Sequence, residues 1–144
     1  MKNIIIIVLL SVLTVFISIS KQAKAEEIAI ITNIANNIEI TDVELKQIFL
    51  GKATVYSNGQ DAKPFALDKN DALTKIFNKE ILKKRPAQFK AYWSKMIFTG
   101  IAVPPQSYKT SEEVINQVKA SKESIGYIDA KFVDDSVKVI KVVK

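Results

Sequence analysis

The chemistry available to this chain is concentrated in one polar run, Asp68-Lys69-Asn70-Asp71, followed by Thr74. The run lies between an apolar segment, Pro64 to Leu67, and a helical stripe of Leu73, Ile76, Phe77 and Ile81. A polar run at a strand-to-helix junction offers two kinds of binding. Backbone amides at a helix start carry partial positive charge and can hold an anion. Lys69 would then supply the cation, and Asn70 and Thr74 neutral donors. In the other arrangement, Asp68 and Asp71 accept from an amine. The same residue types are also common helix caps, so Asp68, Asn70 or Asp71 can serve only to close the helix.

Other candidates lie elsewhere. Asn33 ends the apolar run Ile28 to Thr32. Open α/β sheets place ligand crevices at such strand ends, although Asn is also a turn residue. Tyr92 and Trp93 can stack on a ligand, but their spacing with Phe89 and Met96 equally makes a core face. Thr99 and Gly100 suit a tight turn. Asp134-Asp135 can contribute to a hard-cation site or stay solvated.

The composition narrows the chemistry further. The chain has no Cys and no His. Zinc sites built from those residues are excluded, as are Cys nucleophiles and Ser-His-Asp triads. Carboxylates are present, but no pattern sets one apart as acid and another as base. A non-enzymatic protein without cofactor or metal is expected.

These residues must be positioned by a set of short elements. Ile28 to Thr32 reads as a buried strand and Asn33 to Glu39 as a loop. Thr41-Asp42-Val43-Glu44 has the form of a capping box, and Leu45, Ile48 and Phe49 follow on one helical face up to Gly51. Asn58-Gly59 marks a turn. Pro64 to Leu67 is a second strand, with a helix starting near Asp68 to Asp71. Pro86 fits the first turn of another helix, whose apolar face is Phe89, Tyr92, Trp93, Met96 and Ile97. Gly100 and Pro104-Pro105 predict a long loop. Thr110-Ser111-Glu112-Glu113 is a second capping box ahead of Val114, Ile115 and Val118. Ile125 to Ile128 and Val137 to Val143 complete the strands. Strands separated by helices predict a single α/β domain with a mixed, mostly parallel sheet flanked by helices.

The first 25 residues read differently. Lys2 precedes an apolar stretch from Ile4 to Ile19, and Ala23-Lys24-Ala25 is a small-x-small cleavage site. This is the pattern of a secretory signal peptide cleaved after Ala25, and the apolar run is shorter than a membrane span of about 20 residues. No Cys follows it, so a lipid anchor is not expected. A periplasmic or secreted domain over residues 26–144 follows. Removing Lys2, Lys21 and Lys24 takes the net charge from +6 to +3. The remaining Lys residues are interspersed with Asp and Glu, so no nucleic-acid surface is expected.

Three segments then carry a family resemblance: Leu45-Lys46-Gln47-Ile48-Phe49-Leu50-Gly51-Lys52, Tyr92-Trp93-Ser94-Lys95-Met96-Ile97-Phe98-Thr99-Gly100 and Ser124-Ile125-Gly126-Tyr127-Ile128-Asp129. In that order, behind an export signal, they resemble the substrate-binding proteins of phosphate ABC transporters. The resemblance runs from about Ile28 to Ala130. It implies one lobe of a type II periplasmic binding protein, a small phosphate-like anion as ligand, and a membrane transporter or periplasmic protein as partner. A single lobe in place of two also admits a homodimer. With Phe77 matched to the family's aromatic, the family's phosphate donors fall on residues of other types. Its Arg falls on Leu67, its acidic residue on Lys69, its glycines on Asn70 and Ala72, its binding Ser on Asp71 and its Thr on Leu73. Thr74 alone keeps its type. The resemblance therefore implies a solute-binding protein, or an accessory interaction module that keeps the fold without the ligand.

Overall fold

The computed structural model describes residues 26–144. The signal-peptide reading of residues 1–25 lies outside them. The elements in chain order are β1 (Ile28–Asn33), α1 (Asp42–Phe49), β2 (Lys63–Leu67), α2 (Ala72–Glu80), α3 (Pro86–Phe98), β3 (Gln106–Tyr108), α4 (Ser111–Ala120), β4 (Ser124–Asp129), a 3-10 turn (Ala130–Phe132) and β5 (Val137–Val143).

One five-stranded sheet runs β3-β2-β4-β1-β5. β2 pairs in parallel with β3 and β4, whereas β1 pairs antiparallel with β4 and β5. The sheet is mixed, as the element order predicts. Its parallel part is confined to β3-β2-β4, where α2, α3 and α4 supply the crossovers that parallel strands require. β1 is joined to this group from the opposite direction, and that direction decides where its end lies.

The capping chemistry accounts for most helix starts. In α4, Thr110 Oγ1 accepts from Glu113 N while Glu113 Oε2 accepts from Thr110 N, a closed capping box. In α1, Thr41 Oγ1 accepts from Glu44 N, but the Glu44 carboxylate turns away and accepts from Ser57 N. The expected reciprocal box is therefore half formed, because the loop after α1 offers its own unpaired amide. Pro86 occupies the first turn of α3 as expected. Gly51 ends α1 at a φ of 65°, a conformation that favours glycine.

The core lies where the sheet meets α1, α2 and α4. Ile28, Ala29, Ile30, Ile31, Ile125 and Ile128 are fully buried. Val114 and Val118 of α4 lie over Gly126 in β4. Among the described residues no helix is long and apolar enough to cross a membrane. β3 falls in the stretch where a loop was expected. Two prolines precede it, and its three residues pair only with β2 at the sheet edge.

Candidate functional site

The carboxyl ends of β2, β3 and β4 lie at one end of the sheet, since these strands run parallel. There the chain opens into a cavity of about 810 Å³. A crevice beyond the strand ends is the usual ligand position in open α/β sheets.

The floor of the cavity is aromatic. Phe77 of α2 stacks on Tyr127 of β4 with ring centroids 4.0 Å apart, and Phe49 meets Phe77 edge-on at 4.8 Å. Tyr127 and Thr74 are both buried. Thr74 Oγ1 lies 2.8 Å from the Tyr127 hydroxyl and donates toward Leu67 O at 3.2 Å. This network ties the end of β2 and the start of α2 to β4. Burial pushes the Tyr127 phenol up, and the nearby Asp71 and Asp68 carboxylates push the same way. The hydrogen bonds to Thr74 and Leu67 oppose this less strongly, so the phenol stays neutral.

Above the floor, the β2–α2 junction forms a tight polar turn. Asp68 Oδ1 accepts from Asn70 N at 2.9 Å, and Asp71 Oδ1 accepts from Leu73 N at 2.8 Å. Asp71 is thus the N-cap of α2, and its carboxylate is turned onto the helix's own amide. Asp68, Lys69, Asn70 and Thr74 line the cavity, whereas Asp71 does not. Four of the six candidate site residues are therefore brought together.

Asn33 is not among them. It sits at the opposite end of the sheet, because β1 runs antiparallel to β4 and Thr32 pairs with Ile125, near the start of β4. Its Nδ2 donates to Val118 O at 3.0 Å and to Lys119 O at 2.9 Å, and its Oδ1 accepts from Ala35 N. Asn33 closes the carboxyl end of α4. Of its two sequence readings, strand-end crevice or turn residue, the geometry fits the turn, since β1 runs against the parallel strands.

The remaining candidates separate in the same way. Asp134 Oδ1 accepts from Ser136 N in a local turn. Thr99 caps the end of α3 through Lys95 O, and Gly100 has a φ of 68°. The Tyr92 hydroxyl donates to Leu50 O, which anchors α3 to α1. Trp93 is buried and lines the cavity.

The opposite wall includes Trp93, one of the two aromatics open to ligand stacking, and adds residues of α3 that the sequence places only in a core face. The apolar stripe of α3 reads as a core face, yet Trp93 is the one residue of that helix that is buried. Phe89, Trp93 and Ile97 face the cavity instead, with Pro104 and Pro105 beyond them. Lys75 and Lys90 add cations at the rim. The signal available was the long Pro-rich connection after α3, which leaves that helix without a second packing layer.

No family model and no curated protein matches the chain. Solved structures do. A protein assigned as a phosphate ABC transporter substrate-binding protein, from Clostridium perfringens and with phosphate bound, superposes with a TM-score of 0.64 at 23% identity, over 81% of this chain and 44% of that one. PstS from Borrelia burgdorferi gives 0.61 at 18% identity, over 80% and 46%. An ABC-type phosphate transport receptor from Vibrio cholerae gives 0.54 at 17% identity, over 81% and 46%. The fold is that of one lobe of a periplasmic binding protein. This chain spans less than half the length of each of these structures.

Proposed function

We propose that this chain is an exported solute-binding domain that holds a small anion, phosphate-like in charge and shape, without chemical turnover. The observation that carries the reading is the cavity beyond β2, β3 and β4, with Lys69 at its rim beside the start of α2. Lys69 and the positive end of the α2 dipole attract an oxyanion, while Asp68 and Asp71 already hold the Asn70 and Leu73 amides. The likeness to phosphate transport proteins supports the same ligand class and an ABC transporter as the downstream partner. With a single open lobe the anion keeps part of its hydration, so the affinity is expected to be weak.

A second reading is favoured by one feature. Phe98, Ile101 and Val103 are exposed apolar residues whose chain neighbours Ile97 and Pro104 line the cavity. Such residues suit an accessory module that docks on a protein partner.

A thermal-shift titration separates the two. Ligand binding raises the melting temperature by RT ln(1 + [L]/Kd). Phosphate in the millimolar range is expected to raise it, and Lys69→Ala to weaken the apparent affinity about tenfold, the equivalent of one charge-assisted contact. No rise at any millimolar anion concentration would eliminate the solute-binding reading and leave the interaction module.

A further inference from the structure

The cavity is larger and more apolar than a tetrahedral oxyanion requires. Its volume of about 810 Å³ falls in the range of pockets that enclose organic ligands, about 300–1,000 Å³. The floor is the Phe49, Phe77 and Tyr127 cluster, and the α3 wall is Phe89, Trp93 and Ile97. Ile97 is 56% exposed although it faces this space. An inorganic anion at Lys69 would leave that wall in contact with water, whereas an apolar body laid on it would release the water.

Two further observations point the same way. The charged groups at the cavity are three lysines, Lys69, Lys75 and Lys90, against the single carboxylate of Asp68. The indole Nε1 of Trp93 is buried with no hydrogen-bond partner among the described residues, while Trp93 itself is 5% exposed and forms part of the wall. A buried donor of this kind is costly unless an acceptor reaches it, and its residue belongs to the cavity wall where a ligand would lie.

We propose that the site takes an amphiphilic anion, an organic phosphate monoester whose head meets Lys69 at the start of α2 and whose aromatic or alkyl body lies against the α3 wall. The inference rests on the anion-binding reading above and adds the ligand class to it.

Trp93 is the single tryptophan of the chain, so its emission reports on the wall directly. The test titrates the purified protein with inorganic phosphate, phenyl phosphate and phenol, by calorimetry and by tryptophan fluorescence. Phenyl phosphate is expected to bind about tenfold or more tightly than inorganic phosphate, and to alter Trp93 emission where inorganic phosphate does not. Equal affinities for the two phosphates, with no change in emission, would overturn the inference and leave anion binding standing. Phenol binding as tightly as phenyl phosphate, or no binding by either phosphate, would overturn both. Ile97→Asp, at a half-exposed rim position that the core does not need, is expected to bring phenyl phosphate down to the affinity of inorganic phosphate. A preference that survives this substitution would overturn the placement of the body on α3.

Discussion

Tyr127→Ala is expected to lower the folding free energy by about 3–5 kcal/mol, the range for removing a large buried aromatic. Three contributions converge at this side chain. It is 1% exposed, so its removal leaves a cavity under α2. Its ring stacks on Phe77 and tilts against Phe49 at 5.9 Å, so two aromatic contacts are lost. Its hydroxyl bonds to Thr74 inside the protein, and the truncation leaves Thr74 with Leu67 O alone. Tyr127→Phe keeps the ring and removes only the hydroxyl, so it should cost about 1 kcal/mol. Urea unfolding of the three proteins checks this, with the midpoint moving and the slope unchanged. A Tyr127→Ala protein as stable as Tyr127→Phe would show that the aromatic floor does not hold α2 in place.

Gly126→Val should be of similar size, about 3 kcal/mol, at the upper end of the cost of overpacking a core. A Cβ at position 126 would sit 2.8 Å from Val114 Cγ1 and 3.3 Å from Val118 Cγ2. Both neighbours are β-branched residues on a helix, where the rotamer choice is narrow, so they cannot turn aside. The Phe65 carbonyl oxygen stands 3.4 Å away on the adjacent strand. Relief therefore requires α4 to lift from the sheet. Since α4 carries the capping box at Thr110 and the Asn33 contacts at its other end, the displacement would disturb both termini of the helix. Gly126→Ala should show the same effect in smaller measure. A melting temperature within a degree of the parent for Gly126→Val would contradict the tight α4–β4 packing described here.

The sequence made the strands and helices legible wherever one periodicity ruled. Val114, Ile115 and Val118 share a helical face and pack on the sheet, and Ile28 to Ile31 form an uninterrupted apolar strand buried throughout. It left strand direction open. Asn33 has the same identity whether β1 is parallel or antiparallel to its neighbour, and only the pairing with β4 places it away from the crevice. The β2–α2 junction was legible as a polar helix start but ambiguous in role, since an Asp that caps and an Asp that binds are the same residue in sequence. The structure separates them by geometry: Asp71 accepts from Leu73 N, while Lys69 remains at the cavity rim. The α3 wall was ambiguous for a related reason: stacking on a ligand and packing in a core use the same Trp93. An apolar stripe on a helix predicts burial against something, and here that face borders a cavity.

The measurement that bears most directly on the central claim is an amide chemical-shift titration of the folded domain with phosphate. The largest shifts are expected on Lys69, Asn70, Ala72 and Leu73, at the end of β2 and the start of α2, with Asn33 and the α4 terminus unmoved. Shifts centred instead on the small polar hollow at Gly59, Asp61 and Lys122, or spread evenly over the surface lysines, would contradict it.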